Sequence, residues 1–400
     1  MMTAAAASVG KRECPQGMWG WTVEEPLYHI ARSRILELRS SVDDAGDDFY
    51  SALVQAYPSA ATCSQSKLEE LALMLLRDRP DLLMVKQLSK KPDWIDQQTL
   101  DLGVDVFLQY SFPSLLSLLY FSLLGGFSAP LITRVLDETG YLTKSSKDAI
   151  WRRLNETLDM VVRCMGSGAM EPDGDGFRAA LRVRMVHCRV RHRLLQKGWA
   201  KGDSDGLPLN VEDMLATLLS FSSNVLHTIK SSCGAPLLSR RQETAYLHLW
   251  RYIGYCLGLP EAQLVHLASP EAARGATESL ALHLLHPNAR SCEIANNILG
   301  AISDRPPMRW SLGMHSAVAR TLLGAPLSDA LKIPSPGLLV RLASALLFVA
   351  LRLLNVIIPC LYSPEVGRRV RARLRFAVDR ALASVPSSQK EASGRCPFAG

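Results

Sequence analysis

The apolar residues of this chain recur with helical periodicity almost throughout, and this constrains the fold more than any other feature. The segment SKLEELALMLLRD, residues 66–78, is typical, because its leucines fall on one side of a helix. Alternating polar and apolar runs between turn signals, the pattern of a half-buried strand, are hard to find. With 400 residues and a hydrophobic content of 48%, the chain is long enough to bury a large core. The sequence therefore predicts an all-α fold.

Charge and cysteine usage narrow the class of protein. The net charge of +7 is modest and no nucleic-acid motif is present, so we expect no nucleic-acid partner. The nine cysteines form no CxxC pair and no CxxCH motif for haem attachment, which fits free thiols in a reducing compartment. HExxH, GxSxG, GxGxxG and P-loop motifs are also absent from the sequence. The N-terminal residues do not resemble a signal peptide, so we expect a cytosol-facing protein.

Two apolar segments raise the question of a membrane. Residues 106–133 carry no charge, but Pro113, the glycine pair 125–126 and Pro130 divide them, which favours buried core helices over a span. Residues 338–362 are followed by a densely basic stretch, and an apolar helix beside a basic helix indicates a segment on an anionic membrane surface. A last core helix with a solvated basic neighbour is an equally good interpretation of this second block.

The stretch RVRMVHCRVRHRLL, residues 182–195, places two histidines among arginines. At about 100° per residue, His187 falls in a narrow stripe of small apolar residues, whereas His192 falls on the opposite face. A buried histidine needs partners for its ring nitrogens, and a hydrogen bond to nearby backbone is one interpretation. The other is axial ligation of a haem, whose plane could approach the small residues while the flanking Arg184 and Arg191 reach the propionates.

The preceding segment IWRRLNETLDMVVRCM, residues 150–165, places Arg153 and Thr157 four residues apart on an apolar face. Polar groups on such a face are costly unless they meet a polar partner. One interpretation is local: Thr157 bonds the carbonyl one turn back and Arg153 extends to solvent. In the other, both side chains point at a ligand that is bound on a metal.

Four segments, WRRLNET, RVRMVHCRVR, LPLNVEDMLATLLSFSSNVL and YLHLWRYIGYCLGL, together resemble the rubber oxygenase (latex clearing protein) family. That family includes the membrane-bound fungal oxygenase of mycophenolic acid biosynthesis. The segments KKPDW and LLYFSLLGGFSAPLITRVLDETGYLT are similar to its filamentous-fungal branch, and the resemblance covers residues 85–265. It implies a globin-like helical core with one haem b on a single proximal histidine, His187 here. The family's distal arginine and threonine match Arg153 and Thr157.

The resemblance implies a haem-dependent oxygenase, in which O₂ attacks an alkene of a lipophilic, prenyl-type chain and cleaves it into two carbonyl fragments. Arg153 and Thr157 would orient or polarise the oxygen. The family also uses an upstream glutamate as a base, for which Asp137 and Glu138 are the candidates in this chain. The bacterial members carry a lysine directly before the threonine, where this chain has Glu156, so the distal chemistry differs. Polyisoprene itself does not suit a cytosol-facing protein.

Arg251 lies in the last of the four resembling segments, on an otherwise apolar helix. It could contact a haem propionate or a buried acid, and a structural role is favoured because arginine is rarely buried unless it is paired.

The chain divides into four parts by these arguments: an N-terminal helical extension (1–84), a haem-binding oxygenase catalytic domain (85–325), apolar plus basic C-terminal helices (326–383) and a disordered tail (384–400). The apolar and basic helices predict contact with an internal membrane such as the endoplasmic reticulum, over residues 338–380. Two other functions stay open: a non-catalytic helical module at the membrane periphery, and a haem protein with other oxidation chemistry. The sequence carries no signal of oligomeric state.

Overall fold

The computed structural model describes residues 28–139, 146–199, 206–234 and 238–384. Within these ranges the chain is α-helical with short 3₁₀ and π segments and contains no strand, which confirms the all-α class. The globin-like character of the core stays a prediction, as do the domain boundaries. The predicted disordered tail lies outside the described residues from 385 onward.

The N-terminal quarter of the chain forms five helices. They are α1 (Arg32–Arg39), α2 (Asp44–Ala56), α3 (Gln65–Asp78), α4 (Leu83–Ser89) and α5 (Gln97–Gln109). The side chain of Asp43 caps α2 by accepting a hydrogen bond from the backbone N–H of Gly46 at 3.0 Å. Leu68, Leu71 and Leu75 of α3 are buried, so the spacing of the leucines predicts the inward face of this helix correctly.

The middle of the chain contributes six further helices. They are α6 (Ser111–Leu116), α7 (Pro130–Glu138), α8 (Lys147–Cys164), α9 (Asp175–Gln196), α10 (Val211–His227) and α11 (Arg240–Cys256). Two π-helical segments, Ser117–Leu124 and Thr228–Ser232, continue α6 and α10. Asn210 caps α10 by accepting a hydrogen bond from the backbone N–H of Asp213 at 2.9 Å.

The uncharged residues 106–133 mostly lie in the core, as the prolines and glycines predict. The chain turns by 83° between α5 and residues 111–124. The turn lies at Tyr110 and not at Pro113, because a proline is tolerated in the first turn of a helix, where its missing N–H has no intrahelical partner.

The C-terminal part contains the last seven helices. They are α12 (Glu261–Leu264), α13 (Pro270–Leu284), α14 (Ala289–Ile302), α15 (Leu312–Leu323), α16 (Ala325–Ala330), α17 (Leu338–Leu361) and α18 (Pro364–Ala383). Among the described residues, α17 is the one helix long and apolar enough to cross a membrane, over Leu338–Ile358, and 22% of its most apolar window is buried. The bent pair of α5 and residues 111–124 passes the same test if it is counted as one span.

The helices pack around two main apolar cores. The larger core lies among α2 to α5, α9 to α11 and α13, and α5 packs along α11, where Gly103 lets the two backbones approach closely. The smaller core lies among residues 117–124, α14, α15 and α17. α9 therefore lies inside the assembly, in contact with α2 and α3 on one side and with α8 and α11 on others.

Candidate functional site

The predicted apolar stripe of α9 is covered at its ends and partly open in its middle. Ala179, Ala180 and Leu194 are buried. The residues in between are partly exposed: Val183, Val186, His187 and Val190. Small β-branched side chains with accessible surface therefore surround the imidazole, and a flat ligand can approach a helix closely only where the side chains are small.

His187 has a ring nitrogen without a partner. Its Nδ1 is buried and makes no hydrogen bond to any described residue, so the predicted bond to nearby backbone is not formed at this atom. Burial lowers the pKa of His187 to about 4, and the charge of Arg191 adds to this while Asp43 opposes it. The imidazole is therefore neutral at physiological pH, which is the form that ligates a metal.

His192 behaves as the helical projection predicts. It is exposed, its Nε2 lies 2.9 Å from Nε2 of Gln196, and its ring contacts Tyr50 edge-on. The two histidines of α9 are thus in different environments, and His187 is the better candidate for a ligand.

Two ion pairs flank His187 on the same helix. Arg184 donates from Nε and Nη2 to the carboxylate of Asp43 at 2.6 and 2.7 Å. Arg191 donates from Nε and Nη2 to the carboxylate of Asp47 at 2.7 and 3.0 Å. Both guanidinium groups are buried, so a propionate would have to share or replace an aspartate that is already in place. Their role at a haem stays a prediction.

The other arginines of α9 also bind the N-terminal helices. Arg178 and Arg182 both donate to the carboxylate of Glu69 in α3, at 2.9 and 3.0 Å. Arg189 donates to the carbonyl oxygen of Cys63 at 2.9 Å, and Arg193 donates to that of Ala61. The N-terminal helices are therefore a structural part of the His187 site.

The predicted distal residues lie on α8, which packs directly against α9. Thr157 is exposed, and its Oγ1 donates to the carbonyl oxygen of Arg153 at 3.2 Å, which is the predicted local bond. Arg153 donates from Nη1 to Glu156 at 2.9 Å, and Glu156 also accepts from Arg152 at 2.9 Å. Glu156, the departure from the bacterial pattern, is thus the carboxylate that holds Arg153. The catalytic roles of Arg153 and Thr157 stay predictions.

The remaining predicted site residues lie apart from these. Asp137, in the last turn of α7, forms an ion pair with Arg290 of α14 at 2.7 Å, and its neighbour Glu138 is exposed. Arg251 places its guanidinium 3.9 Å from the centre of the Trp94 ring, which is a cation–π contact. Their predicted roles in base catalysis and in cofactor binding stay open.

The donor set around His187 is compatible with a haem. Within the described ranges, no group of three His, Cys, Asp or Glu side chains could hold a metal ion between them. A single neutral histidine on an apolar, partly open face is what a haem iron requires of the protein, since the porphyrin itself supplies nitrogen ligands to the iron. His187 therefore fits the role of the protein ligand to a haem iron. Arg184 and Arg191, the predicted partners of the propionates, are already paired with Asp43 and Asp47.

Sequence reasoning missed Asp43 and Asp47. The only available signal was the acidic run VDDAGDD, residues 42–48, which is opposite in charge to α9. Charge complementarity does not say which acid meets which arginine over a separation of about 140 residues, as in the Arg184 to Asp43 pair, 141 residues apart.

These residues belong to an oxygenase domain. The family model described as "ER-bound oxygenase mpaB/B'/Rubber oxygenase, catalytic domain" matches residues 111–354, and the chain belongs to this family. The match includes Arg153, Thr157 and His187 and extends into α17. The resemblance to rubber oxygenases is thereby confirmed, and its fungal branch stays a prediction.

A curated relative is the rubber oxygenase of Streptomyces sp. (strain K30), which is 24% identical over 241 residues. The alignment covers 59% of this chain and 54% of that protein, so the chain spans about half the length of the curated relative it matches. No solved structure matches the chain.

Proposed function

We propose that this protein is a haem b-dependent oxygenase that uses O₂ to cleave a carbon–carbon double bond in a lipophilic, prenyl-type substrate. In the overall reaction the C=C bond breaks and each carbon takes one oxygen atom of O₂, which gives two carbonyl products without an external reductant. The bound haem would supply the site at which O₂ is held and activated. The chain belongs to an oxygenase family, and the cofactor and the bond that is cleaved are the parts we propose.

The observation that carries this proposal is the state of His187. Its imidazole is neutral, its Nδ1 has no described partner, and the small side chains beside it are partly exposed. No described residue of the core accounts for the buried Nδ1, which is unusual for a histidine that serves only the core. A neutral histidine beside an accessible apolar face is suited to bind iron through its other ring nitrogen, Nε2.

The distal residues of the chain would act on the substrates from α8. Arg153, fixed by Glu156, would present a positive charge in an apolar pocket and orient the oxygen. Thr157 uses its hydroxyl proton on the Arg153 carbonyl, so its oxygen remains free to accept a hydrogen bond. From α7, Asp137 or Glu138 would take up an allylic proton and return it before the two carbonyl products leave, and Asp137 would first have to leave Arg290.

An absorption spectrum tests the cofactor. The full chain is expressed with haem supplementation, beside His187→Ala and the matched control His192→Ala, which removes the exposed histidine of the same helix. We expect a Soret band in the wild type and in His192→Ala, and its loss or strong change in His187→Ala. A folded wild type that takes up no haem would overturn the proposal and favour a non-catalytic membrane module. If the protein takes up haem but forms no carbonyl products from prenyl alkenes and O₂, the proposed double-bond cleavage is wrong, and a haem protein with other oxidation chemistry is the better interpretation.

We also propose that α17 and α18 hold the protein on the cytosolic face of an anionic internal membrane. The described residues of α17 that are buried against the protein form one stripe, which consists of Ser344, Phe348, Leu351 and Asn355. Its other faces expose large apolar side chains, among them Leu339 at 82%, Leu346 at 69% and Leu353 at 65%. The basic α18 follows directly, and an apolar face beside arginines is the combination that binds anionic lipid surfaces.

Vesicle sedimentation tests the membrane contact. We expect the wild type to pellet with phosphatidylcholine vesicles that contain phosphatidylserine, and to do so less at high salt. The triple variant Leu339→Ser/Leu346→Ser/Leu353→Ser should stay in the supernatant. The control Leu83→Ser, at a leucine of α4 that is 57% exposed, should pellet like the wild type. A wild type that remains in the supernatant with these vesicles at low salt would contradict the proposal.

A further inference from the structure

A small cavity beside His187 contains both charged and apolar groups. It measures about 10 Å³ and is lined by Asp43, His187 and Arg191, together with residues of the start of α10 and of the turn that ends α11. A cavity of this size is just large enough to hold one water molecule. Asp43 is the one carboxylate that lines this cavity, so it is the charged acceptor within it.

Asp43 is held in place from several directions. Its Oδ1 accepts from the backbone of Gly46 and from Arg184, and its Oδ2 accepts from Arg184. Two glycines pack against the carboxylate, Gly46 and Gly258, and a Cβ on either would overlap it. Gly258 also has a φ of +92°, which L side chains rarely adopt. The surroundings therefore fix the carboxylate in one position and leave one lone pair available on Oδ2, since Oδ1 already accepts two hydrogen bonds.

We propose that Asp43 is a positioning residue for His187. Nδ1–H of the imidazole would donate to one water molecule in this cavity, and that water would donate to the Asp43 carboxylate. The contact would fix the tautomer that carries its proton on Nδ1 and leaves Nε2 free. Metal-binding histidines generally donate their second ring hydrogen to a carboxylate, a carbonyl or a water in this way. The ligand role of Nε2 rests on the proposed function, whereas the link between Asp43 and Nδ1 does not.

The link concerns a part of the chain outside the family match. Asp43 lies in the N-terminal helices, whereas the family model begins at residue 111. The water would have partners in the His187 ring, the Asp43 carboxylate and Arg191, which lines the same cavity. Two to four polar partners are what an ordered buried water requires.

Nuclear magnetic resonance tests the link without a bound cofactor. The full chain is labelled with ¹⁵N-histidine and purified without added haem, and the His187 signal is assigned by its loss in His187→Ala. We expect the tautomer with hydrogen on Nδ1 and a slowly exchanging Nδ1 proton. In Asp43→Asn, which keeps the cap of α2, that tautomer should lose population. The tautomer with hydrogen on Nε2 in the wild type would overturn the proposal.

Glu69→Gln is the matched control. It removes a carboxylate of similar exposure, 13% against 12% for Asp43, that also pairs with arginines of α9 but does not line the cavity. The His187 signal should be unchanged in this variant. An equal change in both variants, or none in a folded Asp43→Asn, would contradict the role of Asp43. If Asp43→Asn does not fold, the wild-type tautomer and the exchange of its Nδ1 proton decide the question.

Haem titration then separates the two proposals. We expect haem affinity to fall about 10- to 100-fold in Asp43→Asn, the usual cost of losing such a partner, and to change little in Glu69→Gln. The wild type that shows the expected tautomer but binds no haem would overturn the proposed function and leave the Asp43 link intact. Haem binding that is equal in the wild type and in Asp43→Asn would overturn the positioning role of Asp43 and leave the proposed function intact.

Discussion

Two helices of this protein are rich in arginine, and the fold uses them in opposite ways. In α9, Arg184 and Arg191 are buried, with 3% and 2% of their side chains exposed, and they pair with Asp43, the cap of α2, and with Asp47 of α2. In α18, Arg368 and Arg369 are 71% and 73% exposed and share Glu365 of their own helix. Arginine content therefore does not distinguish a core helix from a surface helix. The position of the acids that pair with the arginines distinguishes them.

The difference has an energetic consequence. A buried guanidinium that loses its carboxylate stays as an uncompensated charge away from water, which costs several kcal/mol. An exposed guanidinium that loses its carboxylate is simply hydrated, so the loss is within about 1 kcal/mol. The two helices should respond very differently to the same kind of substitution.

The largest effect is expected at Asp47. Asp47→Ala should lower the free energy of unfolding by about 3–5 kcal/mol, because Arg191 is then buried without its acid. Glu365→Ala, which frees two exposed arginines of α18, should cost at most about 1 kcal/mol. Urea denaturation of both variants measures the contrast. Asp47→Ala/Arg191→Met should recover most of the stability, and equal costs for the two single variants would show that the two helices do not differ as described.

A second test concerns two adjacent acids at the start of α10. Glu212 is fully buried and pairs with Arg39 at 2.6 Å, whereas Oδ1 of its neighbour Asp213 is buried without a hydrogen bond to any described residue. Burial, and then the charge of Glu212, raise the pKa of Asp213 to about 7. The folded protein therefore keeps a proton that the unfolded chain releases near pH 4, and the stability from this proton is lost as pH rises toward 7.

Asp213→Asn should remove this pH dependence. At pH 8 the variant should be more stable than the wild type by on the order of 4 kcal/mol, and the difference should vanish toward pH 4. Unfolding free energies at a series of pH values measure it. A variant that is no more stable than the wild type at pH 8 would mean that the folded protein stabilises the Asp213 carboxylate as well as it does Glu212.

A third test asks how tightly the Asp43 carboxylate is enclosed. Gly258 ends α11 and Gly198 ends α9, and both have a φ of +92°. An alanine at either position pays the same backbone strain, but only at Gly258 would its Cβ meet the Asp43 carboxylate, since nothing lies within 4 Å at Gly198. Gly258→Ala should therefore cost about 2 kcal/mol more than Gly198→Ala in thermal or urea unfolding. Equal costs would mean that Asp43 can move aside.

The sequence could predict what local periodicity determines. The burial of Leu68, Leu71 and Leu75, the cap at Asn210 and the different surroundings of His187 and His192 all depend on residues within one or two turns. Such patterns survive folding because a helix turns by the same angle wherever it lies.

The partners of the arginines could not be predicted. The acids that hold Arg184 and Arg191 come from more than 140 residues away, and helical periodicity has no information at that range. The position of Arg184 and Arg191 beside His187 suggested that they pair with haem propionates. In the structure, Asp43 and Asp47 supply the carboxylates that pair with them. The missing information was tertiary, namely which helix packs on which face of α9.

The smallest effect is expected where α18 reaches the first turn of α9. Arg375 donates to Asp175 at 2.7 Å, with side-chain exposures of 34% and 48%, and this contact lowers the pKa of Asp175. Arg375→Gln should cost less than about 1 kcal/mol, and the cost should shrink in high salt because exposed charges are screened. A double-mutant cycle with Asp175→Asn isolates the pair. A coupling free energy as large as that expected for Asp47 and Arg191 would mean that α18, like α9, is held to the protein by strong ion pairs. An arginine-rich helix held in this way would be less available to bind a membrane.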